Sequence, residues 1–107
     1  MTKWIAAAVQ MDSQDNLEQN LEAAAYYVKE AAQRGAQLVV FPECMNYLGR
    51  GIADHAESLP GGRTYQVMAQ LASQGVEIVE GPVMKSGACG PILNAKGDSL
   101  RRRWEGN

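Results

Sequence analysis

Leu38-Val39-Val40-Phe41-Pro42-Glu43 is an unbroken apolar run that stops on a proline and a carboxylate. β-branched and aromatic side chains suit a pleated, packed surface, so residues 38–41 read as a buried strand. Pro42 cannot donate a ladder hydrogen bond and biases Phe41 toward extended backbone. The strand therefore finishes at Phe41 and hands Glu43 to the carboxyl edge of a sheet, where ligands bind in open α/β folds.

Upstream, Leu17, Leu21, Ala24, Val28 and Ala31 or Ala32 recur at the spacing of one helical face, while Glu18, Glu22, Lys29 and Gln33 lie mostly elsewhere. That pattern predicts a helix to about Arg34, opened by a capping box of Asp15 and Glu18 and closed by Gly35. Before it, residues 4–9 read as a first strand buried on both faces. Lys3 and this apolar run have the look of a secretion signal, but the run is short and Asp12 soon interrupts it.

Downstream, residues 44–62 are punctuated by Gly49, Gly51, Pro60, Gly61 and Gly62 and read as a long loop, a kind often functional. Thr64 is placed to cap a second helix running through Gln74, with Val67, Met68 and Leu71 inward and Gly75 as its stop. A strand over 76–79 follows. Two strand-helix-strand units with short connections predict parallel strands joined by right-handed crossovers, hence an α/β fold. Beyond Gly81-Pro82, residues 85–91 have loop composition, Ile92-Leu93 reads as a short strand, 94–98 as a hairpin turn and 100–104 as a returning strand. Three consecutive arginines there sit awkwardly in a sheet covered on both faces.

The bulk properties fit one soluble domain: 107 residues, 46% apolar and 21% charged. A net charge of -2 gives no field to recruit nucleic acid or an anionic membrane. No stretch approaches membrane-spanning length. Cys44 and Cys89 are too few for a disulfide framework, and no Cys/His spacing matches a zinc site, which points to a reducing, cytoplasmic setting.

Glu43 has two readings from the residues alone: a base at the mouth of a cleft, tuned for proton transfer by burial beside Phe41 and Met45, or an ordinary carboxylate that begins an exposed loop. The ordinary reading is the simpler from geometry. His55 has no partner at a recognised catalytic spacing and reads as a solvated loop residue. Lys85 beside Ser86-Gly87 reads as an exposed turn, and Arg101-Arg102-Arg103 in a slightly acidic chain is a poor nucleic-acid signature.

Several segments, taken in order, shift that balance. Val9-Gln10 ends the first strand, Asn16-Leu17 opens the helix, Gly35-Ala36-Gln37-Leu38-Val39-Val40-Phe41-Pro42-Glu43 follows, and Leu59-Pro60-Gly61-Gly62-Arg63-Thr64 precedes the second helix. Together they resemble the N-terminal part of the nitrilase superfamily of carbon-nitrogen hydrolases, most clearly over residues 4–84. The resemblance implies the N-terminal half of a four-layer α-β-β-α sandwich and a glutamate, lysine and cysteine triad, with Glu43 as the general base. It implies hydrolysis of a small amide, carbamoyl compound or nitrile, with no metal or organic cofactor. In such a triad the thiol attacks the substrate carbon, the glutamate moves the proton and the lysine stabilises the tetrahedral charge.

The chain departs from the pattern after that. The local counterpart of the family's basic segment, Arg101-Arg102-Arg103-Trp104-Glu105, holds no lysine, and a planar guanidinium is not an ammonium. The family's cysteine belongs to a later strand-to-helix elbow. Cys44 adjoins Glu43 and tends to point away from it, and Cys89 lies in a stretch shorter than the family's hairpin, so both read as ordinary cysteines. The expectation is a truncated hydrolase domain over 1–107, inactive alone. The alternative is a non-catalytic module that self-associates as a homo-oligomer through an uncovered sheet face. A flavodoxin-like ligand-binding domain stands well behind both, because Gln10-Met11-Asp12-Ser13 replaces the glycine-rich phosphate loop.

Overall fold

The computed structural model describes residues 4–51, 57, 62–79, 92–93 and 99–100. The elements run β1 (Ala6–Ala8), α1 (Leu17–Gln33), β2 (Leu38–Val40), α2 (Arg63–Ala72), β3 (Glu77–Val79), β4 (Ile92–Leu93) and β5 (Ser99–Leu100). They form one sheet in the order β1-β2-β3-β4-β5, in which β1, β2 and β3 are parallel and β4 and β5 antiparallel. The expectations for His55, Lys85, Cys89, the turn over 94–98 and the arginines at 101–103 fall outside the described residues.

Both crossovers step the same way along the sheet, so the usual right-handed connection puts both helices on one face. The register shows this directly. Ala7, Val39 and Ile78 lie side by side across the three parallel strands, and Val39 and Ile78 are fully buried. They meet Ala24, Val28 and Ala31 of α1 and Met68, Leu71 and Ala72 of α2 in a single core. The rows one residue away, Ala6 beside Leu38 and Ala8 beside Val40 and Val79, point to the other side and are exposed or half-buried. The two-sided burial expected of residues 4–9 is therefore corrected: β1 is covered on one face, and Trp4 is 59% exposed. A doubly wound, flavodoxin-like arrangement carries helices on both faces, whereas both helices among the described residues lie on one.

The helix ends depart from expectation in small ways that have clear causes. Asn16, not Asp15, caps α1: its side-chain Oδ1 accepts from the Gln19 backbone N–H at 3.1 Å. At the other end Gly35 has φ +87, donates to Ala32 O at 3.0 Å and lets Ala36 donate to Ala31 O at 3.0 Å, the paired bonds of a Schellman stop. Thr64 lies inside α2 rather than at its cap, which is Gly62.

Candidate active site

β2 ends where Phe41 N–H donates to Val79 O at 2.9 Å, one residue beyond the strand itself, while Val9 N–H donates to Val40 O at 2.9 Å on the other side. These bonds anchor the main chain just before Glu43. The three parallel strands finish together at this edge, and Glu43 opens the turn that leaves it. Phe41 and Met45 are buried on either side, but Glu43 is itself exposed. The burial that would favour proton transfer is thus not supplied by the described residues.

Cys44 has φ +53, a left-handed backbone that a side chain bearing Cβ adopts at a cost. The sharp change of direction there sends Met45, Asn46 and Tyr47 into the interior. Polar contacts then hold the segment. Asn20, buried in α1, donates from Nδ2 to Asn46 O at 2.8 Å and to Gln14 O at 2.7 Å, and accepts from Gln14 N–H at 2.9 Å. Leu48 N–H donates to Gln14 O at 3.1 Å, and the Tyr47 hydroxyl to Arg50 O at 2.7 Å. Gly49 passes so near Asp15 that a Cβ would lie 2.5 Å from the Asp15 Cβ, so only glycine fits without a shift.

A second carboxylate, Glu57, completes the support. It accepts from Asn46 Nδ2 at 2.9 Å, from Thr64 N–H at 2.6 Å and from Thr64 Oγ1 at 2.5 Å. Sequence reasoning missed Asn20, Asn46 and Glu57, since none belongs to an apolar pattern and their partners are distant in sequence. Cys44 is a free, half-buried cysteine. Among the described residues no three His, Cys, Asp or Glu side chains converge as a metal cage, and no helix is long and apolar enough to cross a membrane. A depression of about 370 Å³ between β1 and α1, lined by Ala8, Val9, Tyr26, Tyr27 and Arg34 among others, includes neither Glu43 nor the segment that follows it.

Residues 5–100 match the family model described as carbon-nitrogen hydrolase. The chain belongs to the carbon-nitrogen hydrolase family. It is 34% identical over 97 residues to the omega-amidase NIT2-A of Xenopus laevis, covering 88% of this chain and 34% of that protein. It is 40% identical over 86 residues to the omega-amidase NIT2 of Danio rerio, covering 78% and 31%. This carbon-nitrogen hydrolase chain thus spans about a third of the length of those relatives.

Among solved structures its fold is similar to that of the C. elegans NitFhit protein, with TM-score 0.72 and 19% identity over 88% of this chain and 26% of that one. It is similar also to an amidase from Nesterenkonia sp., with TM-score 0.70 and 19% identity over 90% of this chain and 40% of that one. A double mutant of the amidase from Nesterenkonia sp. AN1 was solved in complex with acrylamide. These likenesses establish a nitrilase-type α/β fold with a small parallel sheet.

Proposed function

We propose that the protein hydrolyses the carbon-nitrogen bond of a small amide, with Glu43 as general base. The observation that carries the reading is the Phe-Pro-Glu end of β2, which delivers a carboxylate to the carboxyl edge of the parallel strands in a chain of this family. The omega-amidase relatives and the acrylamide-bound amidase favour a compact substrate with a terminal amide over a carbamoyl compound or a nitrile.

In this reading Glu43 accepts the proton of a cysteine thiol as the thiolate attacks the amide carbon, and the same proton passes to the nitrogen as the carbon-nitrogen bond breaks, so that ammonia leaves and a thioester remains. A water molecule then gives a proton to Glu43 as it attacks the thioester; the carbon-sulfur bond breaks, the acid leaves, and Glu43 returns that proton to the departing thiolate, while a lysine steadies the negative oxygen in both steps. Arg101-Arg102-Arg103 stands where the family's basic segment carries lysine, and Cys44 and Cys89 do not sit on a strand-to-helix elbow pattern, so this reading expects no turnover from these 107 residues alone. The open row of Ala6, Ala8, Leu38, Val40 and Val79 is the surface that a second sheet of a four-layer sandwich would cover, and that covering would enclose Glu43. The proposed setting is a cytoplasmic protein needing neither metal nor organic cofactor, acting on neither nucleic acid nor membrane.

Ammonia release from short terminal amides by the full-length protein tests the proposal. Glu43→Gln, nearly isosteric but unable to act as a base, should lower turnover by at least roughly 10²- to 10⁴-fold with unchanged circular dichroism. Undiminished turnover in that variant rejects the assignment.

The same open face favours one second reading, a non-catalytic module that self-associates. Trp4 and Val40, at 59% and 36% exposure, are the observation behind it.

A further inference from the structure

Glu57 makes more contacts than a loop carboxylate needs. Its Oε1 takes the Thr64 N–H, and its Oε2 takes both the Thr64 hydroxyl and the Asn46 amide. The first contact is understandable as capping, because Gly62 at the start of α2 has no side chain to offer and a carboxylate suits the positive end of a helix. Capping does not account for the third contact. Asn46 is buried, at 3% exposure, and stands three residues after Glu43 on the segment that leaves the sheet edge.

The bonds form one chain across the molecule. Asn20 on α1 holds Asn46 through its backbone oxygen, Asn46 holds Glu57 through its side-chain amide, and Glu57 holds Thr64 on α2. Thr64 is fully buried and Asn20 nearly so, so these groups have given up water and depend on one another. Between this clamp and Glu43 lie only Cys44 and Met45, the first strained and the second fully buried. Strained backbone persists where its surroundings over-determine it. Glu43 therefore has its main chain fixed on both sides: by Phe41 on β3, and by Asn46 between the two helices.

We propose that Glu57 is a positioning residue for Glu43, using the Asn46 amide to hold the turn that aims the catalytic carboxylate. The assignment rests on the amidase reading of Glu43, and Glu57 touches no substrate. The polarity of the contacts makes it testable. In Glu57→Gln one oxygen still accepts from the Thr64 N–H, and the hydroxyl can rotate to become an acceptor. The new amide, however, confronts the Asn46 amide donor to donor. Adding Asn46→Asp restores a donor facing an acceptor with the total charge unchanged.

The experiment uses the full-length protein with a short terminal amide as substrate, and compares wild type, Glu43→Gln, Glu57→Gln and the double variant Glu57→Gln/Asn46→Asp. Four readouts are taken: kcat, KM, the pH profile of kcat/KM, and amide hydrogen exchange of residues 45–47. In Glu57→Gln kcat should fall roughly 10- to 100-fold, the loss expected when a reacting group is misplaced by about 1 Å, with KM within about twofold. The acid limb of the pH profile should move, and exchange at 45–47 should rise. The double variant should recover most of kcat and the protection.

Wild-type kcat and exchange in Glu57→Gln overturn the proposal. So does a loss of activity or folding that the double variant leaves uncorrected, because a purely electrostatic or capping role does not depend on the swap. Failure of the amidase reading itself looks different: Glu43→Gln then turns over like wild type, or no variant releases ammonia.

Discussion

At residue 44 the backbone pays for a turn that glycine would make freely. Left-handed geometry at a non-glycine position costs about 1–2 kcal/mol, and glycine at the same place gives back about 0.5–1 kcal/mol through its freer unfolded chain. Cys44→Gly should accordingly stay within about 1 kcal/mol of wild type in urea unfolding, whereas the β-branched Cys44→Val should lose more than about 1 kcal/mol. Equal stabilities would show that the turn relaxes away from φ +53. A surface pair makes a different kind of prediction. Arg63 reaches Glu18 with two hydrogen bonds, at 2.8 and 3.1 Å, and these, with the positive charge, hold the Glu18 carboxyl below its ordinary value of 4.5. A lowered folded-state value means that the contribution is complete above about pH 4.5 and disappears as pH falls through the folded value. Arg63→Ala should therefore flatten the acid side of a Tm-against-pH curve, and 1 M salt should mimic it.

At the scale of elements, Met68 is fully buried where α2 meets the sheet. Met68→Ala should cost about 2–5 kcal/mol in urea unfolding, set by how far α1 and α2 close over the space left behind. Much of this layer was legible in the sequence. Leu21, Ala24, Val28 and Ala31 carry helical periodicity, Gly35 carries a stop, and Pro42 carries the end of β2. The strands came out shorter than their apolar runs because hydrophobic character marks burial, whereas a strand is bounded by pairing; Phe41 is buried beyond the end of β2. The sequence points to Asp15 as the cap where the structure has Asn16, since Asp15–Glu18 and Asn16–Gln19 offer the same chemistry one residue apart. Thr64 looked like a cap for the same reason, and only its hydrogen bonds to Glu57 explain a buried hydroxyl in the first turn of α2.

At the scale of the whole molecule the sheet has a covered side and an open side, and the two should answer substitution differently. Val40→Lys on the open row should change unfolding free energy by no more than about 0.5 kcal/mol while abolishing any self-association seen by light scattering. A large loss of stability with no change in association would mean that the row is covered within a single molecule. The position of Glu43 at the sheet edge was readable from six residues of sequence, and its support was not. Asn20, Asn46 and Glu57 are separated by 26 and 11 positions along their hydrogen-bonded pairs, and no local pattern announces such partners.

Asn20 also links the fate of two loops. Because one amide serves both Gln14 and Asn46, a small slide or roll of α1 along its own axis would carry the lip of the sheet with it. The first helix and the turn after β2 thereby share one fastening, and Asn20→Ala should loosen both loops together in amide hydrogen exchange.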